Sequence, residues 1–267
     1  MAHRVHHLNC ATMNTPAGRM VCHCLLVETD DAGLVLVDSG VGEADFADPG
    51  TRMGPIRHLL GFAGDEAEFA VNQVRALGFS PEDVRHIVLT HMDFDHAGGI
   101  ADFPHADIHV TSAEALGATM GRTRFERIRY NAAQFAHGPR LVEHTPYGEL
   151  WRGFAAAKEL TEIAEGIVLI SLPGHSRGHA GVAVDAGDRW VLHCGDLFDH
   201  RDEVFGCRRD VPLAIRTLAR IEAFDLDAQF ENQRRVRELW ERGEPDLLIV
   251  NAHDPVLLEQ ARALPVA

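Results

Sequence analysis

The sequence predicts an α/β (α+β) fold with two mixed β-sheets packed face to face and helices outside. Three observations predict it. Short apolar runs that read as buried strands recur through both halves of the chain. Helical periodicities are interleaved with them. Four of the runs stop at a His or Asp, and strand ends are where α/β sheets build their sites.

Residues 21–29 and 34–38 read as strands joined by Asp30-Asp31-Ala32-Gly33, a hairpin turn. Residues 65–77 read as a helix, with Ala67, Ala70, Val71, Val74 and Leu77 on one face and Gly78 as its stop. Ser80-Pro81-Glu82-Asp83 is a short helical turn, capped by Ser80 with Pro81 at its first position. Ile87-Val88-Leu89 then reads as a buried strand, 108–111 as a short one, and Ser112 caps a helix. In the second half, strands fall at 167–172, 181–184 and 190–193. Helices follow near 212–224 and 227–242, then a strand at 246–250 and a helix from Pro255. The whole chain, 1–267, reads as one domain. Residues 119–164 have the least periodic logic and hold Phe125, Tyr130, Phe135, Tyr147, Trp151 and Phe154. An aromatic insertion beside a site is expected to form a lid or a substrate wall, or to use its aromatics to pack onto the domain.

His91-Met92-Asp93-Phe94-Asp95-His96 puts two imidazoles and two carboxylates at a strand end, with Gly98 and Gly99 following. Such donors suit zinc, iron or manganese. Pro173-Gly174-His175 with His179, Gly195-Asp196, and Ala252-His253 close three further apolar runs.

With Val37-Asp38-Ser39-Gly40 as an opening motif, these segments resemble the metallo-β-lactamase superfamily, in its lactonase and glyoxalase II-like branch. The match spans nearly the whole chain. The resemblance implies a four-layer αβ/βα sandwich and a pair of divalent metal ions, zinc first. It implies His91, Asp93 and His175 on one ion, Asp95, His96 and His253 on the other, and Asp196 bridging. It makes Asp38 a residue that orients the ligand loop, and His179, four residues after His175, is a candidate for a similar supporting role. Asp95 would also steer or receive a proton, as the catalytic carboxylate. One position departs from the family's usual His-x-His-x-Asp-His: Asp93 stands at the second His. The flavodiiron branch has Glu there, so iron or manganese compete with zinc. A metal pair can share a hydroxide that attacks a carbonyl or phosphorus.

The chain carries 40 acidic and 25 basic residues, for a net charge of −15, with Lys158 its one lysine. Such a surface repels polyanions, so nucleic acid is not the expected partner. Arg122, Arg124, Arg127 and Arg129 read as a solvated helix face. The five cysteines show no disulfide spacing, and Cys194 reads as a small buried apolar residue. The first 18 residues lack a signal-peptide core, and no run reaches the ~18 apolar residues of a membrane span. The expectation is a soluble cytoplasmic protein with a small-molecule substrate, and a homodimer stays open. Among the histidines, His3, His6 and His7 read as solvated or incidental, His193 as facing away from the metals, and His137 and His144 as pocket-wall candidates.

Within the family, true two-zinc β-lactamases usually have Cys where Asp196 stands. Glyoxalase II has a helical region after the last ligand, and only 14 residues follow His253 here. Acyl-homoserine lactonases fit the length and the bridging Asp. They usually carry Tyr three residues after it, where this chain has Asp199, preceded by Phe198. The expectation is hydrolysis of a small lactone or ester, with Phe198, Tyr147 and Trp151 as substrate contacts. The alternatives are a di-iron redox enzyme of flavodiiron type, for whose flavodoxin-like domain the chain leaves no room, a phosphodiesterase or nuclease, and a non-catalytic binding module.

Overall fold

The protein is described here by a computed structural model covering residues 2–264. Strands β1 (Arg4–Thr15), β2 (Gly18–Glu28), β3 (Leu34–Val37), β4 (Val84–Val88), β5 (Asp107–Thr111) and β6 (Arg140–His144) form the first sheet in that order. β1 to β3 pair antiparallel, and β3 to β6 parallel. The second sheet holds β7 (Glu149–Trp151), β8 (Phe154–Glu159), β9 (Ile167–Ser171), β10 (Ala180–Asp185), β11 (Trp190–His193) and β12 (Leu247–Val250), again in chain order. Its pairs are antiparallel except for β11 with β12.

Period-two alternation divides the apolar residues among three interfaces. Val35, Val37, Leu25 and Val27 point inward and meet Ile167, Leu169, Val182 and Val184 of the other sheet. Leu34, Leu36, Ile87 and Ile108 point outward, under Val71, Val74 and Ile100. Val168, Ile170 and Leu192 face the opposite side, where Val236 and Leu239 of the helix Leu226–Glu241 cover them. Each such side chain contributes about 1.5–3 kcal/mol when fully buried. The result is helices, sheet, sheet, helices: the four-layer sandwich.

Several expectations need correction. Residues 119–164 do not form a lid set apart from the sheets. They supply β6 to the first sheet and β7 and β8 to the second, so the segment passes from one sheet to the other. The helix expected over 65–77 divides at Phe69, where φ −60° and ψ 136° separate the turn Glu66–Glu68 from the helix Ala70–Ala76. Thr111, not Ser112, caps the next helix, its hydroxyl accepting from Glu114 N. The N-terminal histidines are structural. His3 is buried with Nε2 2.8 Å from Glu165 O, His6 pairs with Glu28, and His7 Nδ1 lies 2.9 Å from His23 Nε2.

A second row of imidazoles crosses β4, β5 and β6. His86 Nδ1 lies 3.0 Å from His109 Nε2, His109 Nδ1 lies 2.9 Å from His144 Nε2, and Lys158 Nζ of β8 lies 2.9 Å from His144 Nδ1. An ammonium only donates. His144 therefore accepts on Nδ1 and donates from Nε2, and the same sense passes to His109 and His86. His144 is thus part of a link between the sheets rather than a pocket wall, and His137 is exposed. No helix among the described residues is long and apolar enough to cross a membrane.

Candidate metal centre

The site lies where β3, β4, β9, β11 and β12 end. Asp38 follows β3 with φ 56°, a left-handed conformation rare for a side-chain-bearing residue. That turn buries its carboxylate under the next loop. Oδ1 accepts from Thr90 N at 2.7 Å, and Oδ2 accepts from Thr90 Oγ1 at 2.7 Å and His96 Nδ1 at 2.9 Å. Burial works to raise the Asp38 pKa, and the His96 imidazole overcomes it, holding the carboxyl below its ordinary value.

These bonds fix tautomers. His96 donates from Nδ1 to Asp38, so its Nε2 lone pair faces the site. Thr90 spends its hydroxyl proton on Asp38, so His91 Nδ1, 3.0 Å away, donates to Thr90 Oγ1 and presents Nε2. His253 Nδ1 donates to Val21 O at 2.8 Å and also presents Nε2. His179 spends both nitrogens: Nδ1 donates to Leu172 O at 3.0 Å, and Nε2 accepts from Asp196 N at 3.0 Å. It therefore holds Asp196 through that residue's backbone N–H.

The expected donors converge. His91 Nε2 lies 3.2 Å from Asp93 Oδ2 and 3.6 Å from Asp196 Oδ2, and His175 Nε2 lies 3.4 Å from each of those oxygens. His96 Nε2 is 3.1 Å from Asp196 Oδ1. His253 Nε2 is 3.1 Å from Asp196 Oδ2 and 3.7 Å from Asp95 Oδ2. Such separations match donors about 2.0–2.2 Å from a shared cation. Three buried atoms, His91 Nε2, His96 Nε2 and Asp196 Oδ1, have no hydrogen-bond partner, and their residues form one cluster with donor atoms within 4.8 Å. Buried polar atoms are costly to leave unpaired. A cation among them removes that cost, so these residues fit a divalent metal. Burial opposes a charge on His253, yet Asp196 beside it pushes its pKa up to about 10, an electrostatic demand for positive charge at this spot.

Three of the expected contacts are placed elsewhere. Phe198 is fully buried in the core under the outer helix, its ring 5.5 Å from that of Phe205. Trp151 packs in the same core at the far edge of the second sheet, 5.6 Å from Trp190. Tyr147 is 72 % exposed on the loop after β6. Their aromatic character serves core packing or a solvent-facing turn. Cys194 is buried in that same core, and all five cysteines are free.

Other residues reach the centre with little sequence signal. Arg129, expected on a solvated face, is buried against Asp93: Nε lies 2.6 Å from Oδ1, and Nη2 lies 2.5 Å from Oδ2. The same Nη2 contacts His175 Nε2. Burial and the Arg129 charge lower the His175 pKa to about 3. Glu222 is pushed up to about 8 by burial and by Asp93. Asp199 clusters with Asp196 and His253, and burial with the Asp196 charge raises its pKa well above the carboxylate range. Its spacing from Asp196 was the signal that could have found it. Cys22 clusters with Asp95 and His253, and burial pushes its thiol pKa up.

This geometry agrees with the comparisons to known proteins. The family model of the metallo-beta-lactamase superfamily matches residues 17–228. A protein of Mycobacterium tuberculosis (strain ATCC 25618 / H37Rv) named as a probable metallo-hydrolase is 57% identical over 97% of this chain and 83% of its own. The chain therefore belongs to the metallo-β-lactamase superfamily, and it is a metal-dependent hydrolase. An N-acyl homoserine lactonase of Bacillus sp is 25% identical, over 91% of this chain and 84% of its own. The solved structure of an N-acyl homoserine lactone hydrolase, with the product N-hexanoyl-L-homoserine bound at its catalytic metal center, has a TM-score of 0.65 at 21% identity. It covers 100% of this chain and 98% of that one, which shows a shared fold.

Proposed function

We propose that the chain hydrolyses a small lactone or ester, using water activated at a divalent metal centre built from the donors above. The observation that carries this reading is the cluster of three buried, unpartnered donor atoms on His91, His96 and Asp196. Zinc is the ion that an imidazole-rich set favours, with iron and manganese as its competitors. Bound there, a divalent ion lowers the pKa of water and polarises a carbonyl oxygen. Asp38, Thr90 and Val21 O set the tautomers that aim His96, His91 and His253 inward. His179 holds Asp196 through its backbone. Asp95, whose Oδ2 lies near His253, steers or receives a proton. The named lactonase relative and the chain's negative charge favour a carbonyl substrate over a polyanion.

The test is a screen of lactones, thioesters, aryl esters and phosphodiesters with defined metals added back, in water labelled with heavy oxygen. We expect turnover of a lactone or ester with one label in the acid product. His96→Ala and His253→Ala should abolish turnover, and Cys194→Ala should leave it largely intact. A phosphodiester as the sole substrate, or a reaction that consumes oxygen or reducing equivalents, would replace this reading.

A further inference from the structure

We propose that Arg129 takes the place of one of the two cations expected in the centre. One divalent ion binds tightly, on the side of His91, His96 and Asp196, while the guanidinium keeps a second ion off Asp93 and His175. This rests on the reading of the site as a metal centre.

A guanidinium has five N–H donors, and at Arg129 all five are engaged. Nε donates to Asp93 Oδ1 at 2.6 Å. Nη1 donates to His175 O at 2.8 Å and to Glu222 O at 2.6 Å. Nη2 donates to Asp93 Oδ2 at 2.5 Å and to His175 Nε2. Arg129 ends the helix Arg124–Arg129, and its guanidinium carbon lies 5.7 Å from the Phe125 ring centre. The cation is thus enclosed and held from three chain segments.

The contact with His175 decides the matter. A neutral imidazole nitrogen has one in-plane lone pair. While Nε2 accepts from Arg129, it cannot also bind an ion. Asp93 is occupied in the same way, since both of its oxygens accept from the guanidinium. The donor atoms left without hydrogen-bond partners are His91 Nε2, which lies between the two groups, 3.2 Å from Asp93 Oδ2 and 3.6 Å from Asp196 Oδ2, together with His96 Nε2 and Asp196 Oδ1. A second dication beside Arg129 would also meet like charge at a largely buried position, where repulsion is less screened than in bulk water. The carboxylate at 93 then has a physical reason: it is the bidentate partner that a buried guanidinium needs. A histidine there would remove the carboxylate to which Arg129 Nε and Nη2 donate.

Cobalt titration of metal-free protein, followed by absorbance, with elemental analysis after dialysis, reads the stoichiometry. Wild type should break at one equivalent. Arg129→Gln, and Arg129→Gln combined with Asp93→His, should break at two, with the second ion bound at least tenfold more tightly than in wild type. Circular dichroism checks that the variants fold. If they do not, wild type loaded with excess manganese decides: a spectrum of isolated ions supports the proposal, and a spin-coupled pair overturns it. Two tight equivalents in wild type overturn it and leave the hydrolase reading standing. No tight ion in either protein overturns both.

Discussion

Glu114 is fully buried and has no basic partner among its described hydrogen bonds, yet four donors meet it. Oε1 accepts from Met92 N at 2.9 Å and from Tyr130 Oη at 2.8 Å, and Oε2 accepts from Ser176 Oγ at 2.6 Å and Gly178 N at 3.0 Å. It therefore ties the loop of His91 to the loop of His175. Replacing Glu114 with Gln puts an amide NH₂ against donors and leaves at least one of them unsatisfied. The expected cost is about 1–3 kcal/mol of stability, with kcat reduced and metal content kept. Denaturant unfolding, steady-state kinetics and elemental analysis of the variant check it. In the sequence Glu114 looks like any acidic residue in the first turn of a helix. Arg129 looks like one of four arginines on a surface. Both roles depend on partners from distant segments, and one sequence gives no pairing information. The histidine and aspartate donors were legible because each stands at the end of an apolar run, where local pattern and chemistry coincide.

Among the elements, the helix Leu226–Glu241 acts as a brace for two site loops. Gln233 Nε2 donates to Leu197 O at 2.8 Å, and Asn232 Nδ2 donates to Pro173 O at 2.8 Å. Gly174 sits beneath its start with φ 146°, and a Cβ there would overlap the backbone of Gln229. Gly174→Ala should displace the neighbouring His175, cost on the order of 1–3 kcal/mol and lower kcat/KM by about a hundredfold. Unfolding midpoints and kinetics of that variant test it, and unchanged kinetics would mean the loop can shift freely. The strands β9 to β12 were legible because they are buried, apolar and short. β6, β7 and β8 were not: Arg-Leu-Val-Glu-His, Glu-Leu-Trp and Phe-Ala-Ala-Ala-Lys-Glu lie toward the sheet edges, half exposed and without clean alternation. β1 was hidden by His6, His7 and Asn9, whose side chains are paired within the fold.

For the whole molecule, the imidazole row joining the sheets predicts acid sensitivity. Burial, then the facing His86 and His144, lower the His109 pKa from 6.5 to about 4, with Asp107 and Glu162 opposing. The folded state therefore favours neutral His109. Its effect on stability is absent above about pH 6.5. As pH falls from there toward 4, the unfolded chain takes up the proton first and stability declines, by on the order of 3 kcal/mol at the limit. The melting temperature of wild type should drop across that window, and His109→Gln should flatten the drop. Equal slopes in the two proteins would assign the acid loss to other groups.

The first sheet also meets the loop after β12 through hydrogen bonds: His23 N donates to Ala252 O at 2.8 Å, and the side-chain Nδ1 of His253 donates to Val21 O across 232 positions of sequence. Contacts of such separation form late, because closing a long loop costs entropy before any bond repays it. The imidazole that must face Asp196 is aimed by one of them. A nascent chain can therefore complete the first sheet and still lack an assembled ion trap. Metal capture is coupled to the last closure of the fold, and the bound ion then opposes reopening by mass action.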